Sequence, residues 1–475
     1  MSKARFAAPT MRIGYSQEPT VRFAGRREHE DPRVGLHVYG PVSLDRPSTH
    51  PCTINVGFVG TAQTVSSARA WIESCADGVP GDDNLNISFP GFTTDFGFRS
   101  SLSLDDLWTE VITQHDLRSI TGHRLRKDKF QAAVDLLEDK IRLLAQKDRR
   151  PDYVVLALPE DLESYTSVDF REKGGGAVHR DLRRAFKASV MKHGLPTQVL
   201  RTRVTEAGPK ARNVDHRSKC AWNFFTALYY KAGGIPWAPV GLRPGTCFVG
   251  VSFYRPLRPS SGTIRTSVAQ AFDEHGDGLS LRGPDFHWDE RQQHGKAPHL
   301  DRDTAYELVS LVLRRYQDER KQAPERVVVY KTSRFWPEEA DGFQQALSCV
   351  NSFDLISVAP TSEFRLLRTG QYPPLRGARF QVGDHWFLYT TGYMPCTEGY
   401  PHGHVPSPLQ ITDHRGDTPV ETLVDEILIL TKMNWNSAEL DGLMPITLRF
   451  SRKVGEIMKE IPVDEDPRPL YKFYM

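Results

Sequence analysis

The chain has 475 residues, 39% hydrophobic and 25% charged, which at roughly 150 residues per domain predicts two or three globular domains, each with its own core. No apolar run approaches the roughly 18 residues of a membrane span, and Met1 to Arg22 lacks the apolar centre of a secretory signal, so a cytoplasmic protein with no membrane partner is expected. Sixty-one Lys and Arg against 59 Asp and Glu leave a net charge of +2, which excludes a strong global field towards nucleic acid.

Residues 1 to 45 are rich in Pro, Gly and Arg without periodicity, and read as an arm ordered by packing on something else. Thr53 to Gly60 (TINVGFVG) predicts a buried strand and Ser66 to Cys75 the helix after it. Phe130, Val134, Leu137, Ile141 and Leu144 recur every three or four residues, an amphipathic helix, and Tyr153 to Leu158 (YVVLAL) is a second buried strand. A second unit begins near Gly241. It offers strands at Cys247 to Tyr254, Gly262 to Val268, Arg326 to Lys331 and Phe353 to Val358, with helices near Thr304 to Gln322 and Glu338 to Val350. The alternation predicts two α/β domains, the second with a mixed sheet covered by helices. The aromatic C-terminus, with Tyr471, Phe473 and Tyr474, is expected to be docked.

Charge is concentrated in one place. Arg171 to Cys220 carries 13 Lys and Arg against four Asp and Glu. Lys173 to Gln198 reads as a glycine loop leading into a helix that ends at Gly194, with His179, Arg183 and Lys187 four apart on one face, where an anion would sit. A solvated basic face would use the same residues. A further helix, Arg217 to Ala232, closes with Lys231 just ahead of Gly233-Gly234; that lysine reaches across a groove or merely complements the helix dipole. Together the two basic helices suggest a phosphate pocket, while Trp222, Phe224, Phe225, Tyr229 and Tyr230 read as core. His402 and His404 lack a third metal ligand nearby. The acids of Asp285 to Glu290, with Glu338 and Glu339, are a nuclease candidate only if they converge from strand ends, and the predicted strands end in Ser, Tyr, Lys and Thr.

Five motifs in order, EPTVRFAGRREHEDPRVGLHVYGP (Glu18 to Pro41), YYKAGGIPW (Tyr229 to Trp237), FVGVSFYR (Phe248 to Arg255), VVVYKTSRFW (Val327 to Trp336) and MNWNSAELDGLMPITLRFSRKVG (Met433 to Gly455), resemble the short prokaryotic Argonautes, which consist of MID and PIWI domains only. The resemblance implies an α/β fold with a Rossmann-like MID domain over residues 46–240, an RNase H-like PIWI domain over 241–475, and arm 1–45 as a docking element for a partner. By the same resemblance the pocket for the 5′-phosphorylated end of a guide RNA falls on His179, Arg183, Gln198 and Lys231, supported by Lys187. A structural Mg2+ beside the guide phosphates would take Gln198 and the terminal carboxylate of Met475. The catalytic acids of slicing Argonautes would fall at Ser252, near Thr332 and near Arg452, so the resemblance implies a PIWI domain without cleavage activity.

What the resemblance further implies is an assembly. Guide RNA pairs with complementary single-stranded DNA of a plasmid or phage and switches on an associated APAZ-domain effector, in a heterodimer that oligomerises on activation. A sirtuin-like NADase is favoured as the effector, with a TIR NADase or a nuclease as other choices; the outcome is abortive-infection defence. The rival reading is an autonomous guide-dependent nuclease using Asp285, Glu290 or Glu338. A third is a nucleic-acid-binding protein that carries no guide.

Overall fold

The computed structural model describes residues 10–171, 177–207, 214–257, 263–271, 278–288, 297–400, 405–440, 442–462 and 465–475. The N-terminal arm, which sequence periodicity left without elements, is built of strands β1 (Met11–Tyr15), β2 (Val21–Arg22) and β3 (Glu28–His29) and helix α1 (Pro32–Tyr39). Asp31 caps α1 by accepting from Arg33 N, and Pro32 pre-sets its first turn. β2 pairs with β3 and with β11 (Ala238–Pro239), more than 200 residues later. Strands of two residues with partners so distant leave no pattern in the local sequence.

The first α/β unit follows the β-then-helix alternation expected. In chain order it contains β4 (Thr53–Gly60), α2 (Ala62–Ala76), β5 (Ser101–Ser103), β6 (Thr109–Val111), α3 (Gln114–Thr121), α4 (Arg126–Ala145) and β7 (Tyr153–Leu158). Then come a short α5 (Glu160–Glu163), the antiparallel hairpin β8 (Ser167–Arg171) and β9 (Ala177–Asp181), α6 (Leu182–Val190), β10 (Thr197–Arg201), a short α7 (Thr202–Thr205) and α8 (Arg217–Lys231). β10, β7 and β4 lie side by side in parallel, with β5 and β6 both pairing with β4. All six residues of β7 are buried, as a strand covered on both faces requires. The five apolar residues predicted for one helix face are all buried along α4. The aromatic residues of α8 are core: Phe225 stacks on Phe89 with centroids 5.0 Å apart.

The second unit contains β12 (Thr246–Tyr254), β13 (Thr263–Ala271), β14 (Gly278–His287), α9 (Arg302–Arg320), β15 (Arg326–Lys331), α10 (Pro337–Leu347) and β16 (Ser352–Pro360). It continues with β17 (Ala378–Val382), β18 (His385–Leu388), β19 (Leu409–Gly416), α11 (Val420–Leu430) and α12 (Ile446–Met458). Among the described residues these strands and β1 form a nine-stranded mixed sheet in the order β1-β17-β18-β19-β16-β15-β12-β13-β14. Alternate residues of its central strands feed two cores. Val249, Val327, Val329 and Leu355 pack with α9 and α10, whereas Phe248, Val328, Tyr330 and Ile356 pack with α11 and α12.

Gly250 lets α12 cross β12 at backbone contact: a Cβ there would lie 2.1 Å from the Thr447 carbonyl oxygen. Gly250→Ala is therefore expected to lower stability by roughly 1–3 kcal/mol, the usual cost of overpacking a filled core. Denaturant unfolding would show it, and an unchanged midpoint would mean that the crossing yields freely.

The two units meet across one core. Trp237 Nε1 donates to Lys432 O at 3.0 Å and Trp435 Nε1 to Trp237 O at 3.2 Å. Glu18 of the arm is buried between Arg376 (2.8 Å) and Lys432 (2.6 Å); burial alone would raise its pKa, but these two cations hold it below the ordinary value. The C-terminus is docked as expected, with Tyr471, Phe473, Tyr474 and Met475 buried. No helix among the described residues is long and apolar enough to cross a membrane.

Candidate functional site

The basic segment folds differently from the single helix predicted for it. Asp181 caps α6 by accepting from Arg184 N, so the helix begins at Leu182. His179 therefore lies on β9, not on the helix, and is half exposed, with Nδ1 2.8 Å from Asp169 on β8. Arg183 and Lys187, four apart, are the pair that share a face of α6. After α6 the chain makes a 3-10 turn, Met191–His193, and ends at Gly194, whose φ of 74° is the left-handed conformation glycine adopts without strain. It then enters β10, which carries Thr197 and Gln198.

Here the buried cations converge. Lys187 is 1% exposed and Lys231, at the last turn of α8, is 0% exposed. Both ammonium groups donate to the same acceptor, the carbonyl oxygen of Thr197, Lys231 at 3.2 Å. Lys231 also donates to Gln198 Oε1 and stands 5.8 Å from the centroid of the Tyr153 ring. Burial pushes the pKa of Lys187 well down, and Lys231 and Arg183 push it further. Lys231 is lowered in the same way by burial, then by Arg183 and Lys453 of α12. No carboxylate figures among the charges acting on either lysine.

Burying a charge is costly unless it is paired. Two lysines on one carbonyl oxygen, with a guanidinium added, form a site suited to an anion, and a phosphate would supply both the charge and the acceptor oxygens. Of the expected pocket residues, the structure brings together Arg183, Lys187, Gln198 and Lys231, and leaves His179 with Asp169. Lys453 and Tyr153 were not foreseen; a lysine inside one of the quoted C-terminal motifs was the available signal for the first. Met475 lies in the core shared with α8. The loop residues Lys173 to Gly176 fall outside the described residues.

His179→Ala is accordingly expected to change anion affinity by less than about threefold, the weight of an exposed ion pair, whereas Lys187→Ala removes a buried donor. Titration of each purified variant with a 5′-phosphorylated oligonucleotide separates them, and equal losses would reinstate the histidine.

In the second unit Ser252 lies on β12 and Thr332 just after β15. The parallel register of β12 with β15 ends at Gly250 opposite Tyr330, ahead of both residues. Arg452 is exposed on α12. Of the acids of the rival reading, Asp285 on β14 is 2.6 Å from Arg265, and Glu338 is exposed on the first turn of α10. Glu339 is buried against Lys331 at 2.5 and 2.6 Å. Among the described residues no group of three or more His, Cys, Asp or Glu could hold a metal ion; Glu290, His402 and His404 lie outside them.

No protein-family model and no curated protein matches the sequence. Solved structures do match the fold. Clostridium butyricum Argonaute bound to a guide DNA and a 19-mer target DNA superposes with a TM-score of 0.64 at 17% identity, over 96% of this chain and 54% of that one. The A. aeolicus Argonaute gives 0.58 at 16% identity, over 96% and 54%. Drosophila Piwi gives 0.57 at 13%, over 98% and 56%. The chain thus has an Argonaute-like fold, with the α/β architecture of the MID and PIWI domains, and spans about half the length of the structures it matches.

Proposed function

We propose that this Argonaute-like fold, with a MID unit at residues 46–240 and a PIWI unit at 241–475, serves as a guide-directed sensor of nucleic acid. The observation that carries the reading is the pair of buried lysines on one carbonyl oxygen, each with cations as the charges acting on it. A 5′-phosphorylated small RNA seats its terminal phosphate on Arg183, Lys187, Gln198 and Lys231. A few phosphate contacts then hold any guide, while base pairing supplies specificity for complementary single-stranded DNA. Support for nucleic acid as the ligand also comes from the fold neighbour whose structure contains guide and target DNA.

The magnesium proposal rests on the donor set. One amide oxygen, Gln198 Oε1, and the carboxylate of Met475 suit an ion that takes its remaining ligands from phosphates and water. Such an ion would offset phosphate charge, and it follows the guide, since the pocket itself is cationic.

Ser252, Thr332 and Arg452 offer no carboxylate for two metal ions, so the second unit acts as a cradle for the guide–target duplex rather than as a nuclease. Toxic activity resides in a partner, an APAZ-domain effector of which a sirtuin-like NADase is the first choice, and target binding activates it in plasmid and phage defence in the cytoplasm.

The test is to express the chain with its genomic neighbour, extract bound nucleic acid, label 5′ ends with and without phosphatase, and digest with RNase or DNase. Short RNA that labels only after phosphatase is the expected result. Random long fragments, or none, would reduce the similarity to one of fold alone.

A further inference from the structure

One edge of the nine-stranded sheet carries a surface stack of an arginine and two tyrosines. β12, β15 and β16 run parallel, and the next strands return so that Leu409 lies opposite Pro360, Leu388 opposite Leu409 and Arg379 opposite Leu388. The segment before β17 and the segment after β18 therefore both sit at the carboxyl edge of β12 and β15, the edge nearest Ser252 and Thr332. From β15 to β18 is three strand spacings, roughly 14 Å, a distance that one nucleic acid spans.

Backbone bonds join the two segments. Tyr393 N donates to Pro374 O at 3.0 Å, Arg376 N to Tyr393 O at 3.1 Å and Gly377 N to Tyr389 O at 2.7 Å. Phe364 packs on Phe387 with centroids 5.1 Å apart, and Leu366 N donates to the Tyr389 hydroxyl at 2.8 Å. At the other end the buried Arg376 donates to Thr390 O and, at 2.7 Å, to Thr431 Oγ1. Between these anchors Tyr372 stacks on Tyr393, centroids 4.4 Å and planes 23° apart, and the Arg368 guanidinium stands 5.2 Å from the Tyr393 centroid. Arg368 is exposed and both tyrosines are half-buried; Leu367 beside them is 91% exposed.

The exposed charges around the stack balance, Arg365 and Arg368 against Glu363 and Glu398, so no local field draws an acidic peptide. Unpaired bases need none, because every base offers a π face to an aromatic ring or a guanidinium plane. Bases within a duplex are already stacked on one another. We propose that the stack of Arg368, Tyr372 and Tyr393 binds the single-stranded part of the target DNA, where it runs on beyond the guide-paired segment. The inference rests on the guided reading above and adds a contact outside the duplex.

The experiment loads the full chain with a 5′-phosphorylated guide RNA and measures binding of complementary DNA of guide length, and of the same DNA with a single-stranded flank of about ten nucleotides at its 5′ or its 3′ end. One flank is expected to tighten binding by roughly tenfold, the weight of a stacked base. Tyr372→Phe keeps the gain, Tyr372→Ala and Arg368→Ala lose it, and all three bind the flush target as wild type does. Because stacking rather than phosphate neutralisation supplies it, the gain should persist as salt is raised. No gain from either flank, or a gain that both alanine variants keep, overturns the platform while guided recognition stands. Failure of wild type to bind the flush target overturns the guided reading and the proposal with it. Alanine variants that keep the flank gain but lose a complex with the adjacent gene's product would assign the stack to a protein and overturn the proposal.

Discussion

Replacing Lys231 by methionine is expected to strip the protein of 5′-phosphorylated RNA, cutting recovery of end-labelled RNA by about 100-fold, because truncating one side of a buried charged contact costs roughly 2–5 kcal/mol. The same change is expected to make the guide-free protein more stable. Lys231 is fully buried, shares its acceptor with Lys187, and is repelled by Arg183 and Lys453; removing it relieves a strain that only an anion otherwise offsets. Urea unfolding of RNA-free protein, run alongside RNA extraction, reads both quantities. Loss of RNA with loss of stability would make Lys231 a structural residue, and retained RNA would place the phosphate elsewhere.

The second large effect concerns a buried ion network that ties three elements of the larger sheet. Arg326 on β15 donates to Asp354 on β16 at 2.8 and 3.1 Å and to Glu426 on α11 at 2.5 and 3.0 Å. His414 (3.1 Å) and Thr418 (2.6 Å) complete the shell of Asp354. Arg326→Met leaves two buried carboxylates without their cation, a change that costs about 3–5 kcal/mol. Burial alone would raise the pKa of Asp354, yet hydrogen bonds from His414, Thr418 and Arg326 hold it at about 2, below its free value of 3.8. A depressed carboxylate pKa contributes stability present above the free value and lost as pH falls through the folded one. Wild type should therefore weaken between about pH 4 and 2, by an amount that Asp354→Asn abolishes. Equal acid sensitivity in the two proteins would assign the transition to other groups.

What could be read from sequence divides along physical lines. Thr53–Gly60, Tyr153–Leu158 and Arg326–Lys331 are observed at the residues predicted, because strands buried on both faces have largely apolar centres. The arm was not legible: β1 finds its partner near residue 380, and pairing at that distance leaves no local period. The pocket was half legible. Charge density pointed to the right segment, but the spacing of four between His179 and Arg183 spans a strand-to-helix junction, so it carries no helical meaning. Asp181 before Leu182-Arg183-Arg184 was the overlooked signal, an N-cap that starts the helix three residues after the histidine. The Arg265–Asp285 pair likewise depends on the β13–β14 register, which no motif encodes.

The attachment of β1 to β17 also sets a schedule for synthesis. On the ribosome Met11 to Tyr15 emerge long before their partners Ala378 to Val382, which follow more than 360 residues later, a delay of roughly 20–70 s at ordinary translation rates. Until then Met11, Ile13 and Tyr15 travel on a nascent chain with neither a sheet beneath them nor a cover above, and Glu18 waits equally long for Arg376 and Lys432. The rest of the arm can close earlier, since β2 pairs with β11 and Val21, Phe23 and Leu36 pack in the core of the first unit, so β1 and Glu18 are the parts of the N-terminal half that settle last.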